Sequence, residues 1–250
     1  MLTPSFGLIL RQHRENKKLS QQEIANKDLK LSASYIAMLE RGTRGKSGRR
    51  LTREQVWYLI KAVEIWPPEC DKFLEAAGLD TDRSEREELE IQRQLDFKEL
   101  WVFSRHILDP DKDWFEVVKN NIVKRHISYR YFTEHNTSFL QFLRRLKQEA
   151  NLNDTQLQRY LECTLLPREL FLASFAIYIV GADDLYGCGT KPVYGKAQRF
   201  YTMHPSEAVR LHEFLAKLRL QLNVQEPLVT DEIRRIYPNK SKSDLRSRQV

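Results

Sequence analysis

Apolar residues recur at helical intervals through the first third of the chain. Phe6, Ile9, Leu10 and His13 share one face and predict a first amphipathic helix, closed by Lys17-Lys18, where cations suit the helix dipole. Ser20-Gln21-Gln22-Glu23 has the spacing of a capping box. The Ser20 hydroxyl accepts from the third helical N–H and Glu23 returns the bond. Ile24 and Ala25 then face inward. A further helix starts at Ser32 or Ser34, carries Ile36 and Leu39 as core positions, and runs through Glu40-Arg41 to Gly42, a residue that tolerates positive φ. Thr52 to Glu64 places Val56, Leu59, Ile60 and Val63 on one face. Pro67-Pro68 opens a short helix through Ala77, stopped by Gly78. Five short helices are therefore expected in residues 1–80.

Residues 81–98 are rich in Glu, Arg and Gln, with Leu89, Ile91 and Leu95 as sparse apolar positions, and read as a helical linker. From Glu99 the pattern changes. Leu100-Trp101-Val102-Phe103 and Ser128 to Phe132 are strand candidates. Asp113 to Arg125, with Phe115, Val118 and Ile122 inside, is a helix; Phe139, Phe142, Leu143 and Leu146 mark another. Further strands are expected at Tyr160–Leu165, Leu172–Val180 and Arg199–Met203, and a last helix from Pro205 to Leu222. The opening strand–helix–strand–helix order implies a parallel pair joined by a right-handed crossover. The later strands, joined by short loops, imply an antiparallel portion. Residues 99–225 should thus be an α/β domain with a mixed sheet, followed by a tail, 226–250.

Composition narrows this. At 250 residues with 41% hydrophobic content, the chain suits one or two packed domains and excludes a wholly disordered one. No apolar run approaches the roughly 20 residues of a membrane helix. Met1 to Arg11 lacks a basic n-region and a small-residue cleavage site. A soluble, cytoplasmic protein with no membrane partner is the expectation. Cys70, Cys163 and Cys188 are an odd number and lack CxxC spacing, which argues against a disulfide framework and a zinc site. Nine glycines, with no Gly-rich phosphate loop, argue against P-loop and Rossmann nucleotide binding. No cofactor and no metal are expected.

The formal charge of +7 is unevenly placed. Residues 1–80 hold 14 basic and 10 acidic side chains, 81–99 hold 4 and 7, 100–233 hold 17 and 16, and 234–250 hold 6 and 1. The surplus lies at the two ends. Arg41, Arg44, Lys46, Arg49, Arg50 and Arg53 form a basic run with no acid between them.

The segment LSQQEIANKDLKLSASYIAMLERGTRG resembles the helix-turn-helix domain of the XRE/Cro/C1 regulator family. The landmarks, in order, are Leu19-Ser20-Gln21, Ile24-Ala25, Ser34-Tyr35-Ile36 and Leu39-Glu40-Arg41-Gly42, and FLEAAGL closes such domains. The likeness covers roughly residues 5–79. Two stretches, Asn26–Leu31 and 43–53, are longer than is usual in the family. The resemblance implies that the second helix of the motif enters the major groove of double-stranded DNA with its first residues at base edges. Here those residues are Ala33, Ser34, Tyr35 and Met38. Ser34 offers a hydrogen bond to a base and the Ala33 methyl a contact to thymine. Gln21, at a helix N-terminus, and the basic run Arg41, Arg44, Lys46, Arg49, Arg50 and Arg53 would meet phosphates.

In the second half, ELWVFSRHI, VVKNNIVKRHISYRYFTE and FAIYIVGADDLYGCG faintly resemble a phospholipase-D-like half-domain, whose HxK motif carries a His nucleophile and a phosphate-binding Lys. No His of this chain has Lys two places on, so the resemblance implies a binding or assembly module and no enzyme. Lys124, Arg125, His126 and Arg130 are a candidate anionic-ligand set, and Asp183-Asp184 reads as a polar loop. Tyr129 and Tyr131 read as sheet packing, and the stripe Ala208, Leu211, Leu215, Leu218 and Leu222 as packing on the sheet or a dimer seam. The favoured expectation is a homodimeric transcriptional regulator with a small-molecule or protein effector. The alternatives are a DNA-targeted nuclease of degenerate phospholipase-D-like type and an antitoxin or phage-type repressor.

Overall fold

The structure, a computed structural model, describes residues 4–26, 31–43, 51–67, 69–105, 112–134, 137–166, 168–181, 184–192 and 198–222. The chain divides into two compact units, Met1–Arg83 and Ser84–Val250.

The first unit is built from α1 (Pro4–Asn16), α2 (Gln21–Asn26), α3 (Ala33–Glu40), α4 (Arg53–Val63) and α5 (Glu69–Ala76). The caps explain the boundaries. Ser20 and Glu23 exchange hydrogen bonds of 3.1 and 2.6 Å through their backbone N–H groups, so the capping box at the head of α2 is formed. Ser32, not Ser34, caps α3, its hydroxyl accepting from Tyr35 N at 3.2 Å. Gly42 ends α3 at φ +66, and its N–H reaches Leu39 O at 3.0 Å. Thr52 and Gln55 form a second capping box on α4, and Glu64 ends that helix in the left-handed region. Phe6, Leu10, Ile24, Ile36, Leu59 and Phe73 are fully buried, and Phe6 stacks on Phe73 with ring centroids 4.4 Å apart. Gly7 lets α1 approach the end of α3. A Cβ there would lie 2.3 Å from the Leu39 carbonyl oxygen and 2.7 Å from that of Glu40.

The two-residue β1 (Arg83–Ser84) falls on the division, and the second unit continues with α6 (Glu85–Gln94), β2 (Glu99–Phe103), α7 (Lys112–Arg125), β3 (Ser128–Thr133), α8 (Thr137–Glu149), α9 (Asp154–Tyr160), β4 (Leu161–Leu165), β5 (Phe175–Ile179), β6 (Leu185–Pro192), β7 (Gln198–Thr202) and α10 (Pro205–Leu222). The strand order is β1-β7-β6-β5-β2-β3-β4. β2, β3 and β4 are parallel, with Leu100 opposite Tyr129 and Tyr131 opposite Cys163. β5 runs antiparallel to β2, and β6 and β7 continue antiparallel. The mixed α/β architecture and the division into parallel and antiparallel parts agree with the sequence pattern.

Alternation along the strands sorts side chains to two faces. Trp101, Phe103, Phe132, Ile177, Met203, Ala208 and Leu215 form one core cluster, which places α10 on that face. Gly187 makes room for it: a Cβ there would meet Ala208 Cβ at 2.8 Å and Met203 Sδ at 2.9 Å. Ala208 and Leu215 of the α10 stripe therefore pack on their own sheet, with Leu211 and Leu218 against the same cluster. Tyr129 and Tyr131 are buried on the other face, stacked at 5.9 Å, and Tyr131 meets Phe139 and Phe142 of α8.

The helix expected within 81–98 forms as α6, and Glu87, Glu88, Leu89, Ile91 and Gln92 on it are buried. Two elements go beyond the sequence pattern: α9, which precedes β4, and β6, where no strand was expected. The tail 226–250 lies outside the described residues. Cys70, Cys163 and Cys188 are buried thiols. Among the described residues no helix is long and apolar enough to cross a membrane.

Candidate nucleic-acid interface

The exposed side of α3 follows from its helical spacing. Ile36 and Leu39 are buried, which turns the opposite side, with Ser34, Met38 and Arg41 at steps of four and three, outward. Ser34 and Arg41 are exposed; Ala33, Tyr35 and Met38 are half-buried. Ser34 carries no capping duty, since Ser32 performs it.

A charge network fixes α3 against its neighbours. Arg14 of α1 donates from Nε to Glu40 Oε1 at 2.5 Å and from Nη2 to Glu40 Oε2 at 3.0 Å. Gln21 Nε2 of α2 donates to the same Oε2 at 2.8 Å. Arg14 also reaches Leu19 O at 2.9 Å, just before α2. Three helices thus meet at one carboxylate, and the hydrogen bond to Glu40 raises the Arg14 pKa above its ordinary value. Arg11, Arg14, Gln21, Ala37, Glu40 and Arg41 line one surface hollow. The structure therefore brings Gln21 and Arg41 together and adds Arg11, Arg14 and Ala37, which sequence reasoning missed. Ala37 was accessible to it: it lies three residues after Ser34 and four before Arg41.

Arg53 is placed differently. Its guanidinium donates to Asp80 O at 2.6 Å and Asp82 O at 2.8 Å, so it closes the end of this unit onto α4. Both terminal nitrogens of the guanidinium are used in this closure. Arg44, Lys46, Arg49 and Arg50 lie outside the described residues.

In the second unit, Lys124, Arg125, His126 and Arg130 do not form one anion pocket. Arg125 donates to Gln92 O at 2.9 Å and Arg93 O at 3.0 Å, and also to Leu95 O, capping the carbonyl end of α6. Arg130 pairs with Glu99 at 2.6 Å and Glu162 at 2.9 Å; Glu162 is shared with Arg219 of α10. Lys124 is exposed, and His126, at φ +57, stacks on Tyr160 at 5.8 Å. Asp184 lends its carbonyl to Val180 N and Gly181 N, as a hairpin loop requires, while Asp183 lies outside the described residues. Among the described residues no group of three His, Cys, Asp or Glu side chains could hold a metal ion.

Comparison with protein-family models, with curated proteins and with solved structures gave no match.

Proposed function

We propose that the chain is a sequence-specific DNA-binding transcriptional regulator whose first unit acts as a helix-turn-helix module, with α3 in the major groove. The observation that carries this reading is the outward side of α3. Ser34, Met38 and Arg41 are turned away from the core of the first unit, and a run of cations follows directly in the sequence. Ser34 and Tyr35 reach base edges with Ala33 and Met38 beside them. Gln21, Arg41, Arg44, Lys46, Arg49 and Arg50 meet the flanking phosphates. The Arg14–Glu40–Gln21 network supports this role by holding α2 and α3 in one orientation, which a recognition helix needs.

Regulators of this kind bind as two-fold pairs, which sets half-sites about one helical turn apart, roughly 34 Å. The second unit serves as the dimerising or sensing part. The test is selection of binding sequences from a random DNA pool, followed by anisotropy titration of the recovered motif. A palindromic motif is expected, with Ser34→Ala relaxing preference at one position per half-site. Recovery of no motif, with equal affinity for all duplexes, would refute the reading.

A further inference from the structure

The second unit holds a partly open cavity of about 120 Å³ between the sheet face that bears Tyr129 and Tyr131 and the helices α6, α7 and α8. Aromatic rings, among them Trp114, Phe115, Phe142 and Tyr178, share its walls with aliphatic side chains such as Leu100, Val102 and Val118. Polar side chains also line it, Glu88, Ser104, Ser174 and Thr190 among them, and Gln92 and Tyr129 have unused bonding capacity. Gln92 is 5% exposed, lines the cavity, and its side-chain Oε1 has no hydrogen-bond donor. Tyr129, 1% exposed, accepts at its hydroxyl from Asn121 Nδ2 at 2.8 Å, leaving its own O–H to donate. The same Asn121 amide donates to the Gln92 backbone carbonyl at 3.1 Å, so Gln92 and Tyr129 are neighbours in the lining.

Such an arrangement is costly if left empty. A buried carbonyl without a donor loses its hydration and gains nothing in return. An apolar cavity of comparable size admits a benzene ring. We propose that this cavity is a binding site for a small neutral phenol. The ring fills the aromatic walls, and its hydroxyl donates to Gln92 Oε1 while accepting from Tyr129. A single hydroxyl answers both groups because it is donor and acceptor at once. The Glu88 carboxylate in the wall, which accepts from Tyr178 O–H at 2.6 Å, disfavours an anionic ligand. Burial holds the Tyr129 hydroxyl well above its ordinary pKa, so it stays a donor. This site stands whether or not the first unit binds DNA.

Isothermal titration calorimetry of the full chain with phenol, and with toluene as the ring lacking the hydroxyl, tests the proposal. Phenol should bind at least about tenfold more tightly than toluene. Gln92→Leu should abolish that preference while toluene still binds; Tyr129→Phe should reduce it. If Gln92→Leu fails to fold, the wild-type ratio and Tyr129→Phe still decide. Binding of neither compound, or equal binding of both to the wild type, overturns the proposal, as does an unchanged preference in both variants.

Discussion

Glu40 gathers more of the first unit than any apolar residue of α3 could. Its two oxygens accept from Arg14 and Gln21, and its side chain is 4% exposed, so removing it takes from Arg14 its bidentate carboxylate and leaves only Leu19 O and the more exposed Glu15. Glu40→Ala should cost about 1.5–3 kcal/mol in urea denaturation. Glu40→Gln, which keeps an acceptor, should cost less. Gly7 makes a complementary prediction. Since a Cβ there would overlap two carbonyl oxygens of α3, Gly7→Ala should cost about 1–3 kcal/mol despite the better helix propensity of Ala. An increase in the midpoint would show that α1 can move aside.

Protonation acts at the same scale. His212 on α10 sits edge-on to Trp101 at 4.6 Å, and its Nε2 is buried without a partner. Burial lowers its pKa below the usual 6.5, against the opposing pull of Glu99 and Glu213; His13 is lowered by burial too. A histidine depressed in the folded state takes up more protons on unfolding. Stability is thus present above about pH 6.5 and falls as the pH drops through and below that value. Melting temperatures at pH 7.5 and 5.5 should show this loss, and His212→Gln should shrink it. An identical pH profile for the variant would remove His212 from the account.

At the scale of elements, α10 is two-sided. Leu215 is fully buried on the sheet while Leu220 is 72% exposed. Leu215→Ala should therefore cost about 2–5 kcal/mol, and Leu220→Ala close to nothing, by calorimetry. Helices α1 to α5 and α10 were legible because their polar and apolar residues alternate with the helical period, and because caps such as Ser20–Glu23 and Thr52 mark their ends. β2 and β3 were legible for the matching reason, aromatic and branched residues in short runs. α6 was legible as a helix but its packing was not, because its buried side includes Glu87, Glu88 and Gln92, which a polarity pattern assigns to solvent. Their burial is sustained locally: Glu87 accepts from Ser84 N at 2.8 Å, and Glu88 from Tyr178. β6 escaped because Gly187 and Gly189 sit where a strand pattern wants large side chains. Those glycines yield space to Met203, Ala208 and the Tyr201 ring. The hollow beside α3 was half legible: Gln21 and Arg41 were read from the motif, whereas Arg11 and Arg14 belong to a helix that carries no landmark of it.

For the whole molecule, charge placement decides more than the net +7. A regulator using its N-terminal cations should lose DNA affinity linearly on a log–log plot against salt. The slope should become shallower by about 0.9 for each phosphate contact removed. Arg49→Ala with Arg50→Ala should shift that slope by nearly two and weaken all duplexes alike. Arg53→Ala should leave the slope unchanged, since Arg53 is held by Asp80 and Asp82 carbonyls, and should instead lower stability. A slope that changes with Arg53 but not with the pair would reverse this assignment.

Each unit also shelters a thiol, Cys70 in the first and Cys163 and Cys188 in the second. A buried thiol reacts with an alkylating reagent only while its surroundings are open. The native chain thus carries built-in clocks. The rate at which Cys70 is labelled times the breathing of the five-helix unit, and the rates at Cys163 and Cys188 time that of the sheet. Peptide mapping after brief alkylation would read both from one sample. Cys188 lines the aromatic cavity, so a molecule lodged there should slow that one clock and leave Cys70 running at its own pace.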